Sequence, residues 1–235
     1  MKKLSIIIPC YNEEKNIPFL LERFGFFIKN LPIEVILVDN GSFDESAKVL
    51  TELIPKYSFA RTVRVEKNQG YGFGILYGLK YATGDFIGWI HADIQTDPSD
   101  VARAFDIICS NDFDSNLFIK GLRKKRSIFD TFFTLGMSVF ETFYLKERLW
   151  DINAQPTIFH KSFFSKWQNP PSDFSLDLYA LYMAKKCNLK IRRFEVLFPP
   201  RIHGKSSWNT GIGAKLKLIN KTISFSADLK KRASI

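Results

Sequence analysis

Four short apolar runs rich in branched side chains constrain this sequence most: LSIII at 4–8, EVILV at 34–38, TVRVE at 62–66 and DFIGWI at 85–90. Each has the length of a strand, and helical patterning fills the segments between them. Strands alternating with helices build a mostly parallel sheet covered on both faces, so the expected class is α/β. Local signals mark the helix starts: Asn16 with Pro18 just inside the turn, Ser42 or Asp44 before ESAKVLTEL, and Asp97 or Ser99 before VARAFDII. Ligands of such sheets bind in the loops beyond the carboxyl ends of the strands. Those loops read PCYNEE (9–14), DNGSFDES (39–46), KNQGYGFG (67–74) and HADIQTDP (91–98), and all four are expected on one edge.

The second half is less regular. Residues 127–150 place Phe129, Phe132, Phe133, Gly136, Phe140, Phe143 and Tyr144 at helical spacing, with Asp130, Thr134, Ser138 and Glu141 on other faces. This predicts an amphipathic helix with an aromatic stripe, preceded by Arg123, Lys124, Lys125 and Arg126. A helix is expected at 174–187, a strand at 191–198, and a terminal helix marked by Ile212, Leu216, Ile219 and Ile223 and bearing Lys215, Lys217 and Lys221.

A chain of 235 residues with 46% hydrophobic residues can bury one large core. Cys10, Cys109 and Cys187 match no zinc or disulfide pattern and read as reduced, buried thiols. The apolar run Leu4 to Ile8 ends at once in Pro9 and an acidic turn, too short for a secretory leader, and no stretch approaches a spanning helix. The expected location is therefore the cytoplasm.

Charge divides unevenly along the sequence. Residues 1–115 carry 12 basic and 16 acidic side chains, whereas 116–235 carry 22 basic and 8 acidic. Anionic lipid, a phosphorylated acceptor or nucleic acid would each suit the basic half. No nucleic-acid recognition motif accompanies that charge, so nucleic acid is not expected as a partner.

His91, Asp93, Gln95 and Asp97 crowd the end of the fourth apolar run. A strand-end carboxylate followed two residues later by another oxygen suits Mg2+ or Mn2+, which accept oxygen ligands and are commonly shared with substrate phosphates. Asp93 with Gln95 would suffice, while zinc would ask for nitrogen or sulfur partners that are missing. Asp97 reads more simply as the cap of the next helix. GYGFG at 70–74 overlaps a dinucleotide fingerprint, yet it follows the third strand, and the glycine spacing fails at Tyr77.

The segments IIIPCYNEEKNI, VILVDNGSFDES, NQGYGFGILYGLKYATGDFIGWIHADIQTDP and RIHGKSSWN together resemble the inverting, nucleotide-sugar-dependent glycosyltransferases of family 2, and within them the dolichol-phosphate mannose synthase and polyprenyl-phosphate branch. The likeness is continuous over 4–110 and patchier to about 210. It implies a GT-A, Rossmann-like, mostly parallel sheet flanked by helices, with C-terminal amphipathic helices. A transferase domain would span 1–210, with a nucleotide-binding half at 1–115 and an acceptor half at 116–210, followed by a basic amphipathic helix and tail at 211–235.

The resemblance further implies that Pro9, Tyr11, Asn12 and Glu13 line the base and ribose and that Asp39 hydrogen-bonds the base. Asn40 stands where many relatives have a second Asp, while Gly41 and Ser42 are kept. Asn68, Gly70 and Gly72 would let the backbone approach the nucleotide. The motif His91, Ala92, Asp93 corresponds to the family's DxD, with His91 in place of the first Asp. Asp93, Gln95 and His91 would then be the metal-side residues, for Mg2+ or Mn2+.

Two acceptor chemistries stay open. A sugar hydroxyl would need a base, for which Asp177 stands in the right motif order. A phosphate monoester needs none, being anionic at pH 7, and instead calls for the cradle Arg201, His203, Lys205 and Ser206. Donor and acceptor would thus be a nucleotide diphosphate sugar and a polyprenyl phosphate or lipid-linked saccharide. The aromatic helix and the basic charge would suit docking to an anionic membrane surface, peripherally on its inner face, although such a stripe also serves as core or as the contact of a homo-oligomer. A non-catalytic nucleotide-sugar-binding domain is the other reading, motivated by His91 and Asn40.

Overall fold

The computed structural model describes residues 3–124, 128–199, 201 and 212–232. The first half runs β1 (Leu4–Cys10), α1 (Asn16–Ile28), β2 (Ile33–Asn40), α2 (Ser46–Leu53), β3 (Ala60–Val65), α3 (Tyr71–Leu79), β4 (Phe86–Trp89) and α4 (Pro98–Ser110). The second runs β5 (Leu117–Lys124), α5 (Ile128–Leu145), β6 (Thr157–His160), the single turn α6 (Lys161–Phe164), α7 (Ser175–Lys186), β7 (Lys190–Leu197) and α8 (Ile212–Arg232). They form a seven-stranded sheet in the order β3-β2-β1-β4-β6-β5-β7. Strands β3, β2, β1 and β4 are parallel, and β6 runs antiparallel to both β4 and β5.

The period of two along a strand decides which face each helix covers. On β1, Leu4, Ile6 and Ile8 pack against Leu20, Phe24, Val101 and Phe105 of α1 and α4, whereas Ile7 turns to the layer that holds Ile75 of α3 and Leu181 of α7. β1 pairs with β2 on one side and β4 on the other, so the chain reverses direction across the sheet there. That switch point opens the crevice in which ligands of open α/β sheets bind.

All four strands expected in the first half are present. Asp97 caps α4, its carboxylate accepting from the Ser99 N–H at 2.8 Å. Cys10 is buried as expected, but Cys109 is exposed, because it sits on the solvent side of the last turn of α4. Strands β5 and β6 were not read from the sequence. Arg123 and Lys124, expected just before the aromatic helix, close β5 ahead of α5, and Arg123 forms a buried ion pair with Asp151. Lys125 and Arg126 lie outside the described residues.

The helix expected within 127–150 is α5, and of its described aromatic side chains Tyr144 packs against the core beside the buried Leu145. Ser138 and Glu141 face inward, while Phe143 is 80% exposed. The inward turn is explained by α8, whose Ser226 hydroxyl donates to the Glu141 carboxylate at 2.7 Å. The side chains of Phe129, Phe132 and Phe133 lie outside those described. Burial pushes the Glu141 carboxyl up to about 7 from an ordinary 4.5. The neutral acid is therefore the form the fold favours. Its contribution to stability is complete below pH 4.5 and is lost as pH rises towards 7. Glu141→Gln is expected to stabilise the protein on the order of 2 kcal/mol at pH 8 and not at pH 4, read as melting temperature against pH. An equal shift at both pH values would refute the burial of a neutral carboxyl.

Candidate active site

The four polar loops meet at the carboxyl edge of β1, β2 and β4. The β1 and β2 loops are fastened by side chains holding backbone: the Asn12 N–H donates to Ser42 Oγ at 3.1 Å, the Phe43 N–H to Asn12 Oδ1 at 3.1 Å and the Glu13 N–H to Ser46 Oγ at 2.8 Å. Tyr11 stands edge-on to Phe43, with 5.9 Å between ring centres. Pro9 lies on β1 opposite Val38 of β2, just behind this loop.

Asp39 is 2% exposed and spends one oxygen on the Ser42 N–H at 3.0 Å. Its other oxygen has no hydrogen-bond partner among the described residues, with Arg64 Nε 3.6 Å away. A buried carboxylate oxygen with spare acceptor capacity suits a ligand that brings its own N–H. Asn40 donates through Nδ2 to the Gly70 carbonyl at 2.9 Å, and Asn68 Oδ1 accepts from the Gly70 N–H at 2.8 Å. An Asp at position 40 could not make that donation, so the departure from the family pattern has a use in this loop.

Gly70 takes φ 106°. A Cβ there would lie 2.8 Å from the Ser172 carbonyl, and one on Gly72 would lie 2.6 Å from the Asp173 carbonyl. These glycines admit the backbone of 171–173, to which the Phe73 N–H also bonds at 2.8 Å. The sequence offered no sign of a neighbour a hundred residues away. Phe174 of the same segment stacks on Tyr71 at 4.7 Å, and Tyr71 stacks on His91 at 5.1 Å. Burial lowers the His91 pKa, opposed by Asp93 and Asp177, which favours a neutral imidazole.

Ala92 and Asp93 are buried at the end of the β4 edge. Asp93 Oδ1 accepts from the Gln95 N–H at 3.1 Å across Ile94, which takes φ 59°, a conformation that branched residues rarely adopt. Asp93 Oδ2 pairs with Arg201 Nη2 at 2.8 Å, and Arg201 Nε donates to Gln95 Oε1 at 3.2 Å. The structure thus joins the expected donor-side carboxylate to the expected acceptor-side arginine. Burial raises the Glu13 pKa, with the nearby Asp93 adding to the rise and Arg201 opposing it. His203, Lys205 and Ser206 lie outside the described residues.

Asp93 and Gln95 turn oxygens towards one positive group, a donor set that fits a hard divalent cation. Among the described residues no three His, Cys, Asp or Glu side chains gather closely enough to hold a metal alone. Phosphate oxygens and water would have to complete the coordination.

Asp177 lies deeper and is 1% exposed. Its carboxylate accepts from Trp89 Nε1 at 3.2 Å, Gln155 Nε2 at 2.9 Å and the Tyr71 hydroxyl at 3.2 Å, and Lys120 Nζ stands 3.6 Å away. Lys120, fully buried on β5, also donates to Thr157 Oγ1 at 2.8 Å. Sequence reasoning missed Tyr71, Lys120 and Gln155. A lysine inside the apolar run LFIKGL was the available signal for this network.

The family model described as Glycosyl transferase family 2 matches residues 5–166. An undecaprenyl-phosphate 4-deoxy-4-formamido-L-arabinose transferase from Yersinia enterocolitica is 38% identical over 110 residues, 46% of this chain and 34% of that protein. The transferase of the same description from Serratia proteamaculans is 39% identical over 106 residues, 44% of this chain and 32% of that protein. The chain thus spans about a third of the length of these curated relatives. In fold it is similar to glucosyl-3-phosphoglycerate synthase from Mycobacterium tuberculosis, solved with Mn2+, UDP and phosphoglyceric acid, at a TM-score of 0.73 and 16% identity over 97% of this chain and 78% of that one. It is also similar to a mannosyltransferase from Pyrobaculum calidifontis, solved with GDP-Man and Mn2+, at a TM-score of 0.64 and 15% identity, covering 85% and 58% of the two chains.

Proposed function

Because the chain belongs to glycosyltransferase family 2, we propose that it transfers a sugar, with inversion, from a nucleotide diphosphate sugar to a polyprenyl phosphate. The contact that carries this reading is Asp93 with Arg201, which brings a donor-side carboxylate and an acceptor-side guanidinium together across more than a hundred residues. The two relatives act, by their descriptions, on undecaprenyl phosphate, which supports the acceptor class.

Asp39 would accept the ring N–H of the base through the oxygen that makes no hydrogen bond among the described residues. Tyr11, Asn12 and Glu13 would flank the base and ribose, with Asn68 and Gly70 closing the other side. Asp93 and Gln95, with the neutral His91 beside them, would hold Mg2+ or Mn2+; when bound, that ion neutralises charge on the departing diphosphate. The acceptor phosphate is already anionic at pH 7, so its oxygen needs no base to attack from the face opposite the leaving group. Arg201, with His203, Lys205 and Ser206, would orient that phosphate, the guanidinium through its fork of donors. In this reading Asp177 anchors Trp89, Gln155, Tyr71 and Lys120 beneath the site and takes no proton.

Among the described residues no helix is long and apolar enough to cross a membrane. The basic half, together with Val139 and Phe143 outward on α5, supports a peripheral place on an anionic bilayer. The test offers UDP- and GDP-sugars with Mn2+ and polyprenyl phosphate in phosphatidylglycerol or phosphatidylcholine vesicles. Nucleoside diphosphate release matched by polyprenyl glycosyl phosphate is expected, with flotation on the anionic vesicles alone. Nucleotide binding without release to any acceptor would make this a binding domain. Release only to saccharide hydroxyls would favour Asp177 as a base.

A further inference from the structure

The two side-chain oxygens assigned to a divalent cation are bridged by one guanidinium. Arg201 places Nη2 2.8 Å from Asp93 Oδ2 and Nε 3.2 Å from Gln95 Oε1. Gln95 is fixed in that orientation, its Nε2 donating to the Pro199 carbonyl at 2.9 Å. The pair is shielded, with the Asp93 side chain 6% and the Arg201 side chain 27% exposed. Coulomb forces across such a pair are less screened than at an open surface. A second cation brought to the same two oxygens would meet a fixed positive charge a few ångströms away.

We infer that Arg201 is a protein-supplied counter-cation that competes with the divalent ion for the Asp93–Gln95 oxygens, so that loading the ion displaces the guanidinium and frees its donors for a phosphate oxygen. The inference rests on the proposed function for the identity of Asp93 and Gln95 as donor-side ligands. It adds that the chain binds the bare ion poorly and that ion and phosphate anion support each other. Linkage makes that support reciprocal. The phosphate that receives the guanidinium belongs either to the donor diphosphate or to the acceptor.

Mn2+ binding, followed by the loss of the free-ion EPR signal without nucleotide, measures the competition directly. Removing a charge-assisted partner of this kind is expected to tighten Mn2+ about tenfold in Arg201→Gln. Arg201→Lys, which keeps the charge and loses the fork, should fall between, and adding Asp93→Asn to Arg201→Gln should abolish the gain. Unchanged or weaker Mn2+ binding in Arg201→Gln, with the unfolding temperature kept, would overturn the inference. Pyrophosphate and a soluble alkyl phosphate, each titrated with Mn2+, separate the two phosphate sources: the one that receives the guanidinium should tighten Mn2+ in wild type more than in Arg201→Gln. If neither does, the displaced guanidinium has no phosphate to go to and that part fails. Calorimetry of wild type with UDP and GDP keeps the two readings apart. No nucleotide binding would defeat the proposed function, whereas normal binding with an unmoved Mn2+ affinity would defeat the counter-cation alone.

Discussion

Asp93→Asn is expected to lower sugar transfer by about 10²–10³-fold, the loss usual when one group stabilising developing charge is removed. The protein should unfold at nearly the wild-type temperature. Asn keeps an oxygen for the Gln95 N–H, so the turn that holds Ile94 at φ 59° retains its bond. What disappears is the negative charge that faces Arg201 at 2.8 Å. Asp93→Ala would remove that turn bond as well, which makes Asn the cleaner probe. Nucleoside diphosphate release measured beside a melting curve separates chemistry from folding. Full activity in Asp93→Asn would remove this carboxylate from the mechanism.

Asp177→Asn is expected to destabilise the protein by about 3–5 kcal/mol, because breaking a buried ion pair strands the remaining charge. For a chain of this size that is roughly a 10 °C loss in melting temperature. Lys120 is the stranded partner, fully buried and 3.6 Å from the carboxylate. Burial lowers its pKa to about 8 even though Asp177 raises it, so the ammonium is still charged at pH 7. The folded value lies below the ordinary 10.5, so the penalty for burying that charge is complete below pH 8 and fades as pH rises towards 10.5. Lost activity in Asp177→Asn alone would therefore say little about proton transfer. Lys120→Met combined with Asp177→Asn removes both charges and is expected to recover most of the stability. Near-normal transfer by that double variant would identify Asp177 as an anchor, while a stable but inactive double variant would make it the base.

The first half of the fold was legible because its inner strands are nearly continuous apolar runs, as buried parallel strands must be; every residue of β2, from Ile33 to Asn40, is buried, whereas the edge strand β3 shows alternation instead. Strand β5 was not legible because Lys120 interrupts its apolar run, and it is the distant Asp177 and Thr157 that make a buried lysine acceptable there. Strand β6, at four residues, is too short for a period to show. On α5 the helix was legible and its orientation only in part. Leu145 is buried as the pattern would have it, whereas Glu141 turns inward to meet Ser226, eighty-five residues further on, and Phe143 turns outward.

At the site, convergence of four loops followed from topology alone. The contacts that close it did not. Gly70 and Gly72 meet the 171–173 backbone, and Arg201 reaches Asp93, through long-range approaches that no local spacing encodes.

A crystal grown with Mn2+ and a nucleoside diphosphate, and measured for manganese anomalous scattering, tests the central claim most directly. The expected peak lies within coordinating distance of an Asp93 oxygen, with the base against Asp39. A nucleotide bound elsewhere, or an Asp93 still paired with Arg201 and no manganese beside it, would contradict the account.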